Sequence, residues 1–383
     1  MSKFSALFAA LGLALAVAGG GGAANANSVA RVCPGSPIGT ASCHALVVTD
    51  GVGNPNATTS PTGLSPATIK SAYYYSTSLT AGAGKTIAIV DAYDDPTAES
   101  DLAVFSNQFG LPLCTGCFKK VDQTGGTSYP RKDSGWALEI SLDIQWAHAI
   151  APGAKILLVE ASSNSFADLL AAEDYARGNA QYVSNSWGGS EFSGESSYDS
   201  HFAQLGVSFF VSSGDSGLPA QYPSASPNVI SVGGTTLTLS SSGTFLDETG
   251  WSGSGGGCSV YETATSAQSS FSQYGQVNCA GKRATPDVSL DADPASGVSV
   301  YDSTRYQGQA GWFKVGGTSA SSPMWAARAA DSAAVVDSAY VYGSTIKPSA
   351  ITYRDITSGN NGAAAGVGYD LVTGRGSWIN ATP

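Results

Sequence analysis

From Leu64 onward, apolar and polar residues fall into short alternating blocks. "KTIAIVDAY" (85–93) and "AKILLVEA" (154–161) are aliphatic, β-branched runs of the length expected of strands buried on both faces. "TAESDLAVFSNQFG" (97–110) and "SFADLLAAEDYARG" (165–178) carry helical spacing and close on glycine. "AQYVSNSWGG" (180–189), "VSFFVSSGDSG" (207–217) and "NVISVGGTT" (228–236) are three further strand-then-turn units. This alternation predicts an α/β fold with a mostly parallel central sheet and helices on both faces. Sites in such sheets lie beyond the carboxyl ends of the strands, where "SNSWGG" and "SSGDSG" fall. Residues 27 to about 65 are rich in Gly, Pro, Ser, Thr and Asn without sustained periodicity, and read as an arm held by Cys33 and Cys43. Beyond Thr236 the chain is rich in Gly, Ser and Tyr, until an Ala-rich helix begins near Ser319.

One segment gives conflicting signals. In "SGWALEISLDIQWAHAIAPGA" (134–154), Leu138 to Trp146 alternates apolar and polar, which by itself argues for a strand. The absence of Gly and Pro from 136 to 151 argues for a helix. The two readings differ in chemistry. On a strand, Glu139 and Asp143 are roughly 13 Å apart. On a helix they share one face with Cβ atoms about 5–6 Å apart, so their carboxyl groups can meet. The helix is preferred, and it places Trp136 and Trp146 on the same face, as walls that would desolvate the acids and raise a pKa. An acid pair at this spacing is usually a solvated face, which fits poorly among Leu138, Ile140, Leu142, Ile144 and Ala147.

Residues 1–26 read as a secretory signal peptide: Lys3, an apolar core from Leu7 to Val17, and "ANA" (24–26). That core is too short to span a membrane, so an exported protein is expected, periplasmic if the source is Gram-negative. The rest of the chain is long enough for one large α/β domain. A net charge of −11 argues against nucleic acid as a partner. Only 12% of residues are charged, against about a quarter in ordinary proteins, so little self-repulsion builds up as pH falls. Six cysteines in an exported chain imply disulfides, and sequence neighbours suggest 33–43, 114–117 and 258–279. "CTGC" is read as a structural loop rather than a redox or metal motif.

"VGGTSASSP" (315–323) presents Ser319 on a turn at a helix start, as a nucleophile would be. Asp215, in "SSGDSG" after the apolar run "VSFFV", is either a turn cap or a site residue. Taken in order, "EISLD" with "AHAIAPGAKI", "SNSWGG", "SSGDSG", "WSGSGGGCS", "PDVSLDADPASGVSVYD", "GGTSASSP" and "DITSG…GVGYDLVTGRGS" resemble the motifs of the sedolisins, or serine-carboxyl peptidases. The resemblance covers about residues 62 to 380. It implies a subtilisin-like three-layer fold in which a glutamate replaces the catalytic histidine. Carried over, Ser319 would attack the peptide carbonyl and Glu139 would take and return its proton. Asp143 would orient Glu139, and Asp215 would sit protonated in the oxyanion hole. The resemblance further implies one structural Ca²⁺ held by Asp355, Ile356, Gly366, Gly368 and Asp370, an oxygen set of the kind calcium prefers. Peptides or proteins would be the substrates, acid the working range, and a monomer without nucleic-acid or membrane partners the working form.

The domain plan is therefore a signal peptide (1–26), an arm (27–61) and a peptidase domain (62–383). Family members usually carry a long folded prosegment. The arm is too short for one, so no zymogen autoactivation is expected. Two rivals stand beside this reading. A Ser-His-Asp subtilase would need a histidine in a glycine-flanked motif, and neither His148 in "WAHAIAPG" nor His201 in "DSHFAQ" fits; Asp91 then reads as structural. A catalytically silent, calcium-stabilised binding protein would keep the fold, although all four catalytic positions are filled.

Overall fold

The computed structural model describes residues 28–35, 37–343 and 352–379. The expected signal peptide lies outside them. The centre is a ten-stranded sheet. From one edge to the other run Thr352–Arg354, Ser377–Ile379, Val288–Asp291, Ile230–Leu239, Ser208–Ser212, Tyr182–Asn185, Thr86–Ala92, Lys155–Ala161 and Phe118–Asp122. Phe245–Gly250 pairs off this path with Ile230–Leu239. Every other pairing is parallel except those of Phe245–Gly250 and Thr352–Arg354. Ile87, Ile89, Ile156, Leu158, Val183 and Phe210 are fully buried, as strands covered on both faces require. The strand runs and glycine-closed helices of the sequence appear within a residue or two: Ala98–Phe109 ends on Gly110 in the left-handed region, and Phe166–Asn179 runs one residue past Gly178.

Residues Ser134–Ile150 are helical, and Asp133 starts them by accepting from Gly135 N and Trp136 N at 3.0 and 3.2 Å. The period-two pattern misleads because the helix has no solvated face: everything from Gly135 to Ile150 is buried. Its polar residues each have an internal task. Gln145 brackets Tyr301 by donating to its carbonyl and accepting from its N–H, at 2.7 and 2.9 Å. Ser141 reaches Asp95, and Trp146 Nε1 donates to Ser299 O. Both indoles also pack on aromatic neighbours, Trp136 edge-on with Tyr93 and Trp146 with Phe105.

The arm is more ordered than its composition suggests. Ser28–Arg31 and Leu46–Thr49 form an antiparallel pair that extends the hairpin of Val298–Tyr306 and Gln309–Gly316. Ser42–Cys43 pairs with Trp187–Gly188. Its strands borrow neighbours distant in sequence, so no local period announces them. The three disulfides are 33–43, 114–117 and 258–279.

Arg283 and Asp287, both buried, pair below the sheet, and Asp287 also accepts from Ser231 N and the Tyr342 hydroxyl. Arg283→Met leaves that carboxylate uncompensated and is expected to cost about 3–5 kcal/mol, read from the urea midpoint. A midpoint equal to wild type would show that the pair does not hold this region together.

Candidate active site

Ser319 is the second residue of the helix Thr318–Ser332, and Gly317 before it has φ +94°. A Cβ at Gly317 would lie 2.1 Å from His44 O and 2.7 Å from Asp215 Oδ2, so only glycine permits this turn. Pro323 has no N–H to bond the carbonyl four residues earlier; Ser186 Oγ donates to that Ser319 carbonyl instead, at 3.4 Å. The Ser319 hydroxyl donates to Ser186 O at 3.2 Å, and its N–H donates to His44 O at 3.1 Å.

Glu139 and Asp143 lie one helical turn apart, facing the serine helix, and are completely buried. None of their four oxygens has a hydrogen-bond partner. Burial raises both pKa values strongly, and the Asp143 charge adds to the rise at Glu139. The Ser319 hydroxyl opposes that rise at Glu139, while Ser186 and Glu139 oppose it at Asp143. These groups therefore face one another just outside hydrogen-bond geometry. Such a pair titrates jointly and holds protons well above the usual carboxylate range.

Asp91 is the group that sequence reasoning undervalued. At the end of the Thr86–Ala92 strand it is fully buried, with both oxygens unpartnered. Burial, then Asp143, then Glu160, raise its pKa. Its place beside the dyad makes it a third member of the carboxyl cluster rather than a structural acid set apart.

Asp215 lies past the end of Ser208–Ser212, as the strand-end rule placed it. Its Oδ1 accepts from Thr318 N and Oγ1 at 2.8 and 3.0 Å, while Oδ2 has no partner. Burial pushes its pKa up to about 7, against the two Thr318 hydrogen bonds and the Arg31 charge. Oδ2 lies beside Gly317, on the side where the Ser319 N–H meets the His44 carbonyl.

Two of the three histidines are engaged elsewhere. His148 Nε2 lies 2.8 Å from Pro112 O, and His201 pairs with Asp174. His44, which sequence reasoning left without a role, stands in the site itself. Its imidazole Nδ1 is 2.7 Å from Ser212 Oγ, and burial lowers its pKa to about 4.

In the C-terminal loop, Gly368 N donates to both oxygens of Asp355, and Gly366 N to Asp370 Oδ2. The expected ligand residues thus adjoin. Among the described residues, the carbonyls of Ile356, Gly366 and Gly368 accept no hydrogen bond from the chain. Two carboxylates and three free carbonyls form a hard-oxygen donor set.

Asp215, Asp95 and Glu173 are raised to about 7, 7 and 8, each chiefly by burial. Each is neutral in the fold where the unfolded chain is charged. Each therefore adds stability that is complete below about pH 4 and lost as pH rises through its folded value. The melting temperature is expected to be highest in acid and to fall between about pH 4 and 8. Asp215→Asn should gain on wild type as pH rises; a difference constant with pH would mean Asp215 does not titrate this way.

Residues 131–368 match the subtilase family. Kumamolisin of Bacillus sp. (strain MN-32) is 32% identical over 360 residues, spanning 83% of this chain and 62% of that protein. Sedolisin of Pseudomonas sp. (strain 101) is 35% identical over 209 residues, 46% of this chain and 34% of that protein. The chain thus spans less than two thirds of the length of these curated relatives. The structure of Pseudomonas sedolisin, a serine-carboxyl proteinase complexed with two molecules of pseudo-iodotyrostatin, superposes with a TM-score of 0.69 at 31% identity. That match covers 83% of this chain and 96% of that one. This chain belongs to the subtilase family, in its sedolisin branch.

Proposed function

We propose that the protein is an exported serine endopeptidase that hydrolyses peptide bonds in acid through Ser319, Glu139 and Asp143, with Asp215 in the oxyanion hole. The observation that carries this reading is the buried, unpartnered Glu139–Asp143 pair facing the helix that carries Ser319, with Asp215 bonded to the start of that helix. Unpartnered buried carboxyls cost stability, and such costs concentrate where chemistry is done.

The steps follow from the positions. Glu139 takes the Ser319 proton as Oγ attacks the substrate carbonyl, and then passes it to the leaving amine. Asp143 orients Glu139 and, with Asp91, sets the pH at which the cluster holds its protons. The Ser319 N–H and the Asp215 carboxyl stabilise the oxyanion. Water then hydrolyses the ester. Asp215 must be protonated to donate, so activity is expected to fall as pH rises through about 7.

The substrates are peptides and proteins, and the working form is a monomer with no nucleic-acid or membrane partner. Among the described residues no helix is long and apolar enough to cross a membrane. Asp355, Asp370 and the carbonyls of Ile356, Gly366 and Gly368 fit one Ca²⁺, which would tie the C-terminal loop to the sheet edge.

Hydrolysis of denatured haemoglobin is the test. Wild type should peak in acid; Ser319→Ala and Glu139→Gln should lose at least about a thousandfold in kcat, and Asp215→Ala about a hundredfold or more. A Ser319→Ala protein as fast as wild type rules the assignment out. Chelator should lower the melting temperature of wild type but not of Asp370→Asn; a wild-type melt indifferent to chelator removes the calcium.

A further inference from the structure

We propose that Cys114, Cys117 and His148 form a binding site for Zn²⁺ or a similarly soft divalent cation, which opens when the Cys114–Cys117 disulfide is reduced. The site uses a motif, "CTGC", that the peptide chemistry above leaves unemployed, and it does not depend on that chemistry.

The motif sits on a tight turn. Cys117 N and Phe118 N both donate to Cys114 O, at 3.2 and 3.3 Å, and Gly116 turns the chain with φ +79°. Two cysteines at this spacing are a recurrent half of zinc sites. In the sequence the motif stands without a second C-x-x-C, and on that ground it reads as structural. The fold brings the third group from the last turn of the acid helix, Ser134–Ile150. An imidazole nitrogen of His148 and the two sulfurs all lie within 4.8 Å of one another. Four-coordinate zinc spaces such ligands about 3.5 Å apart, so small side-chain rotations close the site once the sulfurs are free to part. Among the described residues no other group of three or more histidine, cysteine or carboxylate side chains is placed this closely.

The imidazole is prepared as a ligand. His148 is completely buried, and its Nε2 lies 2.8 Å from the Pro112 carbonyl, which can only accept. The ring proton therefore sits on Nε2, and Nδ1 is left as a buried lone pair without a partner. Ligating histidines characteristically donate their second N–H to a carbonyl or carboxylate, which fixes the tautomer and the ring orientation. Burial, with the Lys70 charge behind it, lowers the His148 pKa against the Pro112 hydrogen bond, so the ring is neutral and able to ligate. A buried nitrogen without a partner is unfavourable, and a bound cation would offset that cost. Cys114 also lines a small surface depression with Glu99, Leu102, Ala103, Leu113 and Thr115, which gives an ion a path to the sulfurs.

Disulfide and ion are alternatives. In the oxidised chain the two sulfurs are bonded to each other, and neither offers a thiolate. A dithiol reductant passes two electrons and two protons to the S–S bond, closes into its own disulfide, and leaves two Cys thiols. Zn²⁺ then displaces both thiol protons to solvent and is held by two thiolates and the neutral imidazole, with water in the fourth position. The charges of the ion and the thiolates cancel, which suits a largely buried place. Either cross-link closes the C-x-x-C turn, but only the metal also ties that turn to the helix of Glu139 and Asp143.

The test uses Co²⁺ as a coloured probe for Zn²⁺ on wild type, Cys114→Ser/Cys117→Ser and His148→Gln, each with and without a phosphine reductant. Reduced wild type should bind about one Co²⁺ per chain, with thiolate-to-cobalt charge transfer in the near ultraviolet and the intense visible bands of a four-coordinate ion. Zn²⁺ should bleach both, and oxidised wild type should show neither. Cys114→Ser/Cys117→Ser keeps the other two cysteine pairs, so a thiolate band persisting there places the ion elsewhere and overturns the inference. His148→Gln should bind at least about tenfold more weakly, since even an outer hydrogen bond to a ligand is worth that much. Should His148→Gln not fold, the imidazole nitrogen NMR signals decide: Zn²⁺ added to reduced wild type should shift those of His148 and leave those of His44 and His201 in place. Reduced wild type without a thiolate band, folded or not, overturns the inference. So does His148→Gln that binds like wild type, or a His148 ring that Zn²⁺ does not shift.

Discussion

The site depends on one unfavourable condition: carboxyl groups held in a dry interior without a cation to pair with them. Glu139, Asp143 and Asp91 are fully buried, and all six oxygens lack a partner. Ionising all three there would cost several kcal/mol, so the cluster retains protons well above the usual carboxylate range and shares what charge it carries. The surrounding packing enforces this. The acid helix is enclosed on every side, and the serine helix closes over its catalytic face. In the proposed chemistry the need for acid comes from Asp215, which donates a hydrogen bond only while it is protonated.

The same condition links stability to chemistry. Protons held by the buried carboxyls also stabilise the folded chain, so the stability maximum lies on the acid side, where the proposed chemistry has Asp215 protonated. Asp215 shows the coupling most directly. Its Oδ1 is spent on starting the serine helix through Thr318, and that anchor leaves Oδ2 without a partner beside Gly317. One side chain thereby caps an element and, in the proposed chemistry, supplies a donor.

The arm shows how open backbone edges recruit a strand. The edges it joins are backbone, at Asn164 and at Ser186 to Gly188, and backbone edges accept any extended chain. Register comes from the His44 side chain, which needs the space left by Gly188 and the polar group of Ser212.

Much of this was legible in the residues. The buried parallel strands announce themselves as aliphatic runs, and Gly110 as a helix stop, because each rests on local pattern. The acid pair was legible as a pair once its segment was read as a helix. Its alternating pattern argued otherwise, since Ser141 and Gln145 are buried for separate hydrogen bonds rather than turned to water. Asp91 and His44 could not be placed from the sequence. Asp91 belongs to the cluster only because the helix of Asp143 packs on its strand, and His44 meets Ser319 only because the arm folds back against the serine helix. The sequence by itself determined the strands, helices, disulfide partners and chemical groups, which depend on short-range pattern. Which groups share one dry pocket was decided by tertiary packing, because burial and proximity across the chain are properties of the assembled fold alone.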